Sequence, residues 1–81
     1  MNDRFPCSCC GFLTQAVVPL GLFDTCPVCY WADDPMQAHY PDSAGANAVT
    51  LNVAKKNFAA FGAIEERFLS EVRKPTPDEI P

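Results

Sequence analysis

Four of the five cysteines, Cys7, Cys10, Cys26 and Cys29, follow the spacing C-x2-C-x15-C-x2-C, which is the pattern of a four-thiolate zinc site. A Cys-x-x-Cys turn puts two sulfurs on one side of a tight loop. Two such turns face to face close a tetrahedron, each sulfur roughly 2.3 Å from the metal. These four residues are the expected metal ligands. With all four positions filled by protein, none is left for water or substrate, so the spacing points to a structural ion and away from an enzyme. Thiolate tetrahedra also suit iron, and the same four sulfurs therefore define an alternative, an iron electron carrier. Gly11 follows the first turn but Tyr30 follows the second, which removes a flexible backbone position near sulfur and places iron behind zinc. A thiol oxidoreductase ranks lower again, because that chemistry favours a single Cys-x-x-Cys at a helix start in a βαβ context.

Other chemistry-bearing residues are weaker candidates. Cys9 competes with Cys10 for the first turn, but Cys10 followed by Gly11 gives the better turn, and Cys9 reads as a buried small apolar residue. His39, the only histidine, is a possible ligand by type, yet four better-spaced thiolates already complete the shell. Asp33, Asp34 and Asp42 could hold a second cation or form a carboxylate pair. No nucleophilic or basic partner stands at an interpretable spacing, so a solvated acidic loop is expected, with a partner-binding face as the other reading. Phe58, Phe61 and Phe68 could stack bases, but their helical spacing assigns them to core packing.

With 81 residues, the chain supports one domain whose core alone contributes no more than about 3–5 kcal/mol. A staple is needed. Structural zinc supplies one, with apparent binding energies of about 10–16 kcal/mol in small peptides, coupled directly to folding. An odd cysteine count and the lack of a basic segment followed by an apolar signal run argue for reduced thiols and a cytoplasmic location. The most apolar stretch, Ala16 to Phe23, is broken by Pro19 and Gly21 and is short of the about 20 residues a membrane span needs. The net charge is −4, falling to about −6 when four thiolates hold a dication. Nucleic-acid binding is therefore disfavoured, since it draws on many cations. Lys55, Lys56, Arg67, Arg73 and Lys74 form the one basic cluster, read as solvated helix faces. No small-molecule substrate is inferred.

The elements that must position the sulfurs follow from the intervening sequence. Phe12 to Val18 and Leu22 to Thr25 suit a pleated surface and are separated by Pro19 and Gly21, which predicts a β-hairpin between the two turns. Pro27 fixes φ near −65° and preorganises the second turn. Tyr30 or Trp31 is expected to cover the site and exclude water. Ala32 to Asn47, with Pro35, Pro41 and Gly45, reads as an ordered loop. Val49 to Phe61 reads as a helix capped by Thr50 and stopped at Gly62, with Leu51, Ala54, Phe58 and Phe61 on one face. A second helix is predicted from Ala63 to Arg73, where Ile64, Phe68, Leu69 and Val72 share one side. The domain is expected over residues 1–75, with residues 76–81 a frayed tail.

Several stretches together carry a family resemblance. Phe5-Pro6-Cys7-Ser8-Cys9-Cys10-Gly11-Phe12 and Cys26-Pro27-Val28-Cys29-Tyr30-Trp31-Ala32-Asp33-Asp34-Pro35 resemble the bacterial cysteine-rich CPCC domain family. Gly45-Ala46-Asn47-Ala48-Val49-Thr50-Leu51-Asn52, Asn57-Phe58, Phe61-Gly62-Ala63 and Glu65-Glu66-Arg67-Phe68 are similar to its helical half, so the resemblance spans roughly residues 4–75. It implies a small metal-binding domain and brings no activity with it. Ser8 departs from the proline of the family's name, which loosens the first turn but leaves the sulfurs in place. The two turns also resemble those of rubredoxin. The expectation is an α+β domain, a zinc-ribbon or rubredoxin-like hairpin with two Cys-x-x-Cys knuckles and two C-terminal helices. It would serve as a non-enzymatic interaction module for an unknown protein partner.

Overall fold

The computed structural model describes residues 4–15 and 23–81. Each Cys-x-x-Cys turn is a self-contained knuckle. In the first, the Cys7 amide donates to the Phe12 carbonyl and the Gly11 amide to the Cys7 carbonyl, both at 2.9 Å. In the second, the Cys26 amide donates to Trp31 O at 2.9 Å and the Tyr30 amide to Cys26 O at 2.8 Å.

The expected hairpin is not present among the described residues. Among the described residues there is no β-strand, only two isolated antiparallel bridges, Phe5 with Gln15 and Thr25 with Ala32. The reason lies in where the backbone groups are used. Phe5 and Gln15 exchange both hydrogen bonds across the first knuckle, and Phe23 and Asp33 close the arms of the second. Each pair of arms is joined to itself, so no ladder links Phe12–Gln15 to Phe23–Thr25. The remaining part of the expected hairpin, residues 16–22, lies outside the described residues. The α+β zinc-ribbon description thus gives way to a small cysteine-cluster domain of two helices, 3-10 turns and irregular chain.

The predicted loop contains the first helix, α1 (Pro35–His39). Asp34 caps it, its carboxylate accepting from the amides of Met36 at 2.9 Å and Gln37 at 3.3 Å, and Pro35 occupies the first helical position. Buried polar side chains then order the irregular chain that follows. The other oxygen of Asp34 accepts from the Ala46 amide at 2.8 Å. Gln37, fully buried, donates to the carbonyls of Ser43 and Val49 and accepts from the amide of Asn47. Asn47 in turn brackets Ala32, accepting from its amide at 2.8 Å and donating to its carbonyl at 2.9 Å. A loop whose backbone groups are answered this fully can lie against a core without leaving polar atoms unpaired.

The second helix, α2 (Leu51–Phe61), matches the sequence reading. Thr50 caps it through the Val53 amide, and Gly62 ends it at φ 96°, donating to Phe58 O. Leu51 and Ala54 are buried and Phe58 packs beside them against the cysteine core. Phe12 of the first knuckle meets Phe58 edge to face, 6.2 Å between centroids.

The predicted helix over Ala63–Arg73 does not form. Only a 3-10 turn, Glu66–Phe68, occupies that stretch. Glu65 is extended, at φ −148° and ψ 148°, and the Arg73 amide, which a helix would give to Leu69, donates instead to Pro27 O at 3.1 Å, while Ile64 donates to Cys29 O at 2.9 Å. Ile64 is buried in the core and the Phe68 ring lies on Tyr30, 4.4 Å between centroids. An eleven-residue helix is marginal in isolation, so these tertiary bonds to the second knuckle outweigh it.

The chain end also differs from expectation. A second 3-10 turn, Pro77–Glu79, meets the chain just after the first knuckle, where the Leu13 amide donates to Glu79 O at 2.7 Å, with Glu79 fully buried. No helix among the described residues is long and apolar enough to cross a membrane.

Candidate metal centre

The knuckles bring the sulfurs of Cys7, Cys10, Cys26 and Cys29 within 4.8 Å of one another. Cys7 Sγ stands 3.6 Å from Cys29 Sγ, and Cys10 Sγ stands 3.7 Å from Cys26 Sγ. A tetrahedron with metal–sulfur bonds of 2.3 Å has edges of about 3.8 Å, so these cross-knuckle separations fit a zinc-sized or iron-sized ion. Cys7, Cys26 and Cys29 are buried and Cys10 is half-buried, which makes Cys10 the member of the set nearest solvent.

The electrostatics point the same way. Cys26 is held far below the usual thiol range, first by its hydrogen bond with Cys10, then by Cys29 and Cys7, with help from Thr14. Cys7 is also lowered, chiefly by Cys10. Cys29 is pushed far up, chiefly by Cys10, and Cys10 is pushed up by Cys26. Hydrogen bonds among the sulfurs stabilise the thiolate at Cys26 and Cys7 while Cys29 and Cys10 keep their protons to donate, so the cluster titrates as a unit. Two other groups stabilise sulfur directly: the Cys9 amide donates to Cys7 Sγ at 3.4 Å, and the Thr14 hydroxyl stands 3.1 Å from Cys26 Sγ. Thr14 carries no sequence signal that would have singled it out.

The second knuckle copies the first although its sequence differs. Gly11 has φ 79° and Tyr30 φ 73°, both left-handed. Tyrosine is uncommon there, and the closed knuckle, together with the Tyr30–Phe68 stack, holds it in place. The missing glycine therefore does not distort the second turn. Trp31 fills the core beside the cysteines, and its Nε1 is a buried atom with no hydrogen-bond partner among the described residues. Tyr30 lies half-buried at the edge.

The remaining candidates are placed elsewhere. Cys9 is buried beside the cluster but is not among the four convergent sulfurs. His39 is exposed on α1, its ring 4.5 Å from that of Tyr40. The three aspartates do not share a site. Asp33 and Asp34 are buried, Asp34 serves as a cap, and Asp42 accepts from Asn52 on the surface. The basic cluster is partly neutralised: Arg67 pairs with Glu65 and lies over Phe68, and Arg73 pairs with Glu79, as does Arg4. Lys55 and Lys56 are exposed on α2.

Sequence reasoning missed two sets of residues. Asp34 and Pro35 together carry a legible helix-start signal. Gln37 and Asn47 carry none, because what makes them important is burial against chain distant in sequence, whereas Glu79 closes a legible Thr76-Pro77-Asp78-Glu79 capping box although its burial is not legible.

No curated protein matches the chain. The profile of the Cysteine-rich CPCC family does, over residues 5–79, a span that takes in both knuckles, α1, α2 and the docked final turn. With four cysteines so arranged and nearly the whole chain matched, the protein belongs to the cysteine-rich CPCC family.

Proposed function

We propose that the protein is a structural zinc domain that serves as a small, non-enzymatic interaction module in the cytoplasm. The observation that carries this reading is the convergence of four sulfurs within 4.8 Å from two knuckles. A shell completed by four protein sulfurs has no position for substrate, and a chain this small gains its folding energy from the ion. A protein is the proposed partner; against nucleic acid, ion pairs to Glu65 and Glu79 already engage three of the six cations and leave little basic surface.

Iron electron transfer is the second reading, and one observation favours it. Tyr30 adopts the same left-handed backbone as Gly11, so the two knuckles are equivalent and the sequence argument against iron loses its force. Elemental analysis of protein purified without added metal, with a visible spectrum of the same sample, separates the readings. One colourless zinc per chain supports the structural module. Stoichiometric iron with a reversible visible band, retained under zinc supplementation, replaces it with the carrier. Absence of any bound metal overturns both.

A further inference from the structure

Glu79 is 75 residues from Arg4 in sequence, yet its carboxylate lies against that guanidinium in full burial. Oε1 accepts from Arg73 Nη1 and from the Thr76 amide, each at 2.8 Å. Oε2 accepts from Arg73 Nη2 at 2.9 Å and from Arg4 Nη1 at 3.0 Å. The backbone of the same segment reaches both knuckles. The Leu13 amide donates to Glu79 O at 2.7 Å, and the Arg73 amide donates to Pro27 O at 3.1 Å. Leu13 follows the first knuckle, and Pro27 lies inside the second.

We infer that residues 73–79 form a clasp across the two knuckles and that Glu79 is a positioning residue of the four-sulfur site, setting how fast the site gives up its ion. The inference rests on the metal-binding reading above. Each knuckle holds only two of the four sulfurs, so the ion leaves when the knuckles part. Among the described residues no β-ladder joins the knuckles to resist that parting. The clasp does so: Arg73 at one end is bonded inside the second knuckle, Glu79 at the other is bonded just after the first, and a bidentate arginine–carboxylate pair, the strongest geometry for such a contact, ties the two ends together. Arg4, three residues before Cys7, ties the entry of the first knuckle to the same carboxylate.

The test uses the full chain loaded with one zinc and follows first-order zinc release into excess chromogenic chelator at neutral pH. Glu79→Gln keeps the shape and removes the charge, and it should release zinc roughly tenfold faster, as expected for loss of charge-assisted hydrogen bonds. Arg4→Ala, at a half-exposed position, should release it a few-fold faster and carries the test should Glu79→Gln fail to fold. Thr50→Ala, which removes the α2 cap away from the clasp, serves as the stability control, compared at equal loss of thermal midpoint. Release from both clasp variants at the wild-type rate overturns the inference, as does equal acceleration by Thr50→Ala. A wild-type chain that takes up neither zinc nor iron overturns the metal-binding reading and the clasp with it, whereas a loaded chain with unaltered release overturns the clasp alone.

Discussion

Gly11 and Tyr30 occupy the same station in the two knuckles, at φ 79° and 73°, each donating its amide to the carbonyl of the first cysteine of its turn. A left-handed residue with a side chain costs roughly 1–2 kcal/mol relative to the ordinary conformation, and glycine avoids that cost. Tyr30→Gly and Tyr30→Ala both lose the ring that stacks on Phe68. Tyr30→Gly should therefore unfold at the higher temperature, by about 1 kcal/mol in stability. Equal thermal midpoints would mean that the second knuckle relaxes out of the left-handed region.

Gly45 is constrained by space. A Cβ there would stand 2.4 Å from Asp34 Oδ2 and 2.5 Å from Gln37 Cγ, both in the buried network that orders the chain between α1 and α2. Around Gly11 a Cβ would meet nothing within 4 Å. Gly45→Ala should cost several kcal/mol, about 3 or more, and Gly11→Ala about 1–2 kcal/mol from backbone conformation alone. Denaturant midpoints of the two metal-loaded variants give the comparison.

The ligand assignment separates Cys9 from its neighbours. Cys26→Ser should abolish stoichiometric metal content and leave the chain largely unfolded, since binding and folding are one equilibrium in small thiolate domains. Cys9→Ser should retain one ion per chain and lose about 1 kcal/mol, the cost of a hydroxyl in a buried position. Comparable metal loss from both would move Cys9 into the ligand set.

Glu79 sets a pH dependence whose sign follows from its environment. The paired Arg73 guanidinium, the Thr76 amide and Arg4 lower its carboxyl from the ordinary 4.5 to about 2 against the opposing effect of burial. A group whose pKa is lower in the folded state contributes in full above its unfolded value and loses that contribution as pH falls from 4.5 toward 2. The stability gap between wild type and Glu79→Gln should thus stay flat from pH 8 to about 5 and narrow only below 4.5, while both remain folded. A gap that changes between pH 6 and 8 would assign the effect to another titrating group.

The sequence by itself determined the four sulfurs, because Cys-x-x-Cys spacing is a local property of a turn and two such turns define a tetrahedral donor set wherever they meet. It determined α2 for the same reason: Thr50, the apolar period and Gly62 act within a few residues of one another. The arrangement of the remaining chain was decided only in three dimensions. Residues 63–73 carry a helical apolar pattern, yet Glu65 is extended and Arg73 gives its amide to Pro27, 46 positions away. The arms flanking each knuckle suit strands, but they pair with one another across the turn. Glu79 reads in sequence as the closing residue of a Thr76-Pro77-Asp78-Glu79 capping box, and only the fold brings Arg4 and Arg73 around it. Local spacing fixes local geometry, whereas competition for a backbone hydrogen bond, or the burial of a charge, depends on which distant groups arrive at the same place.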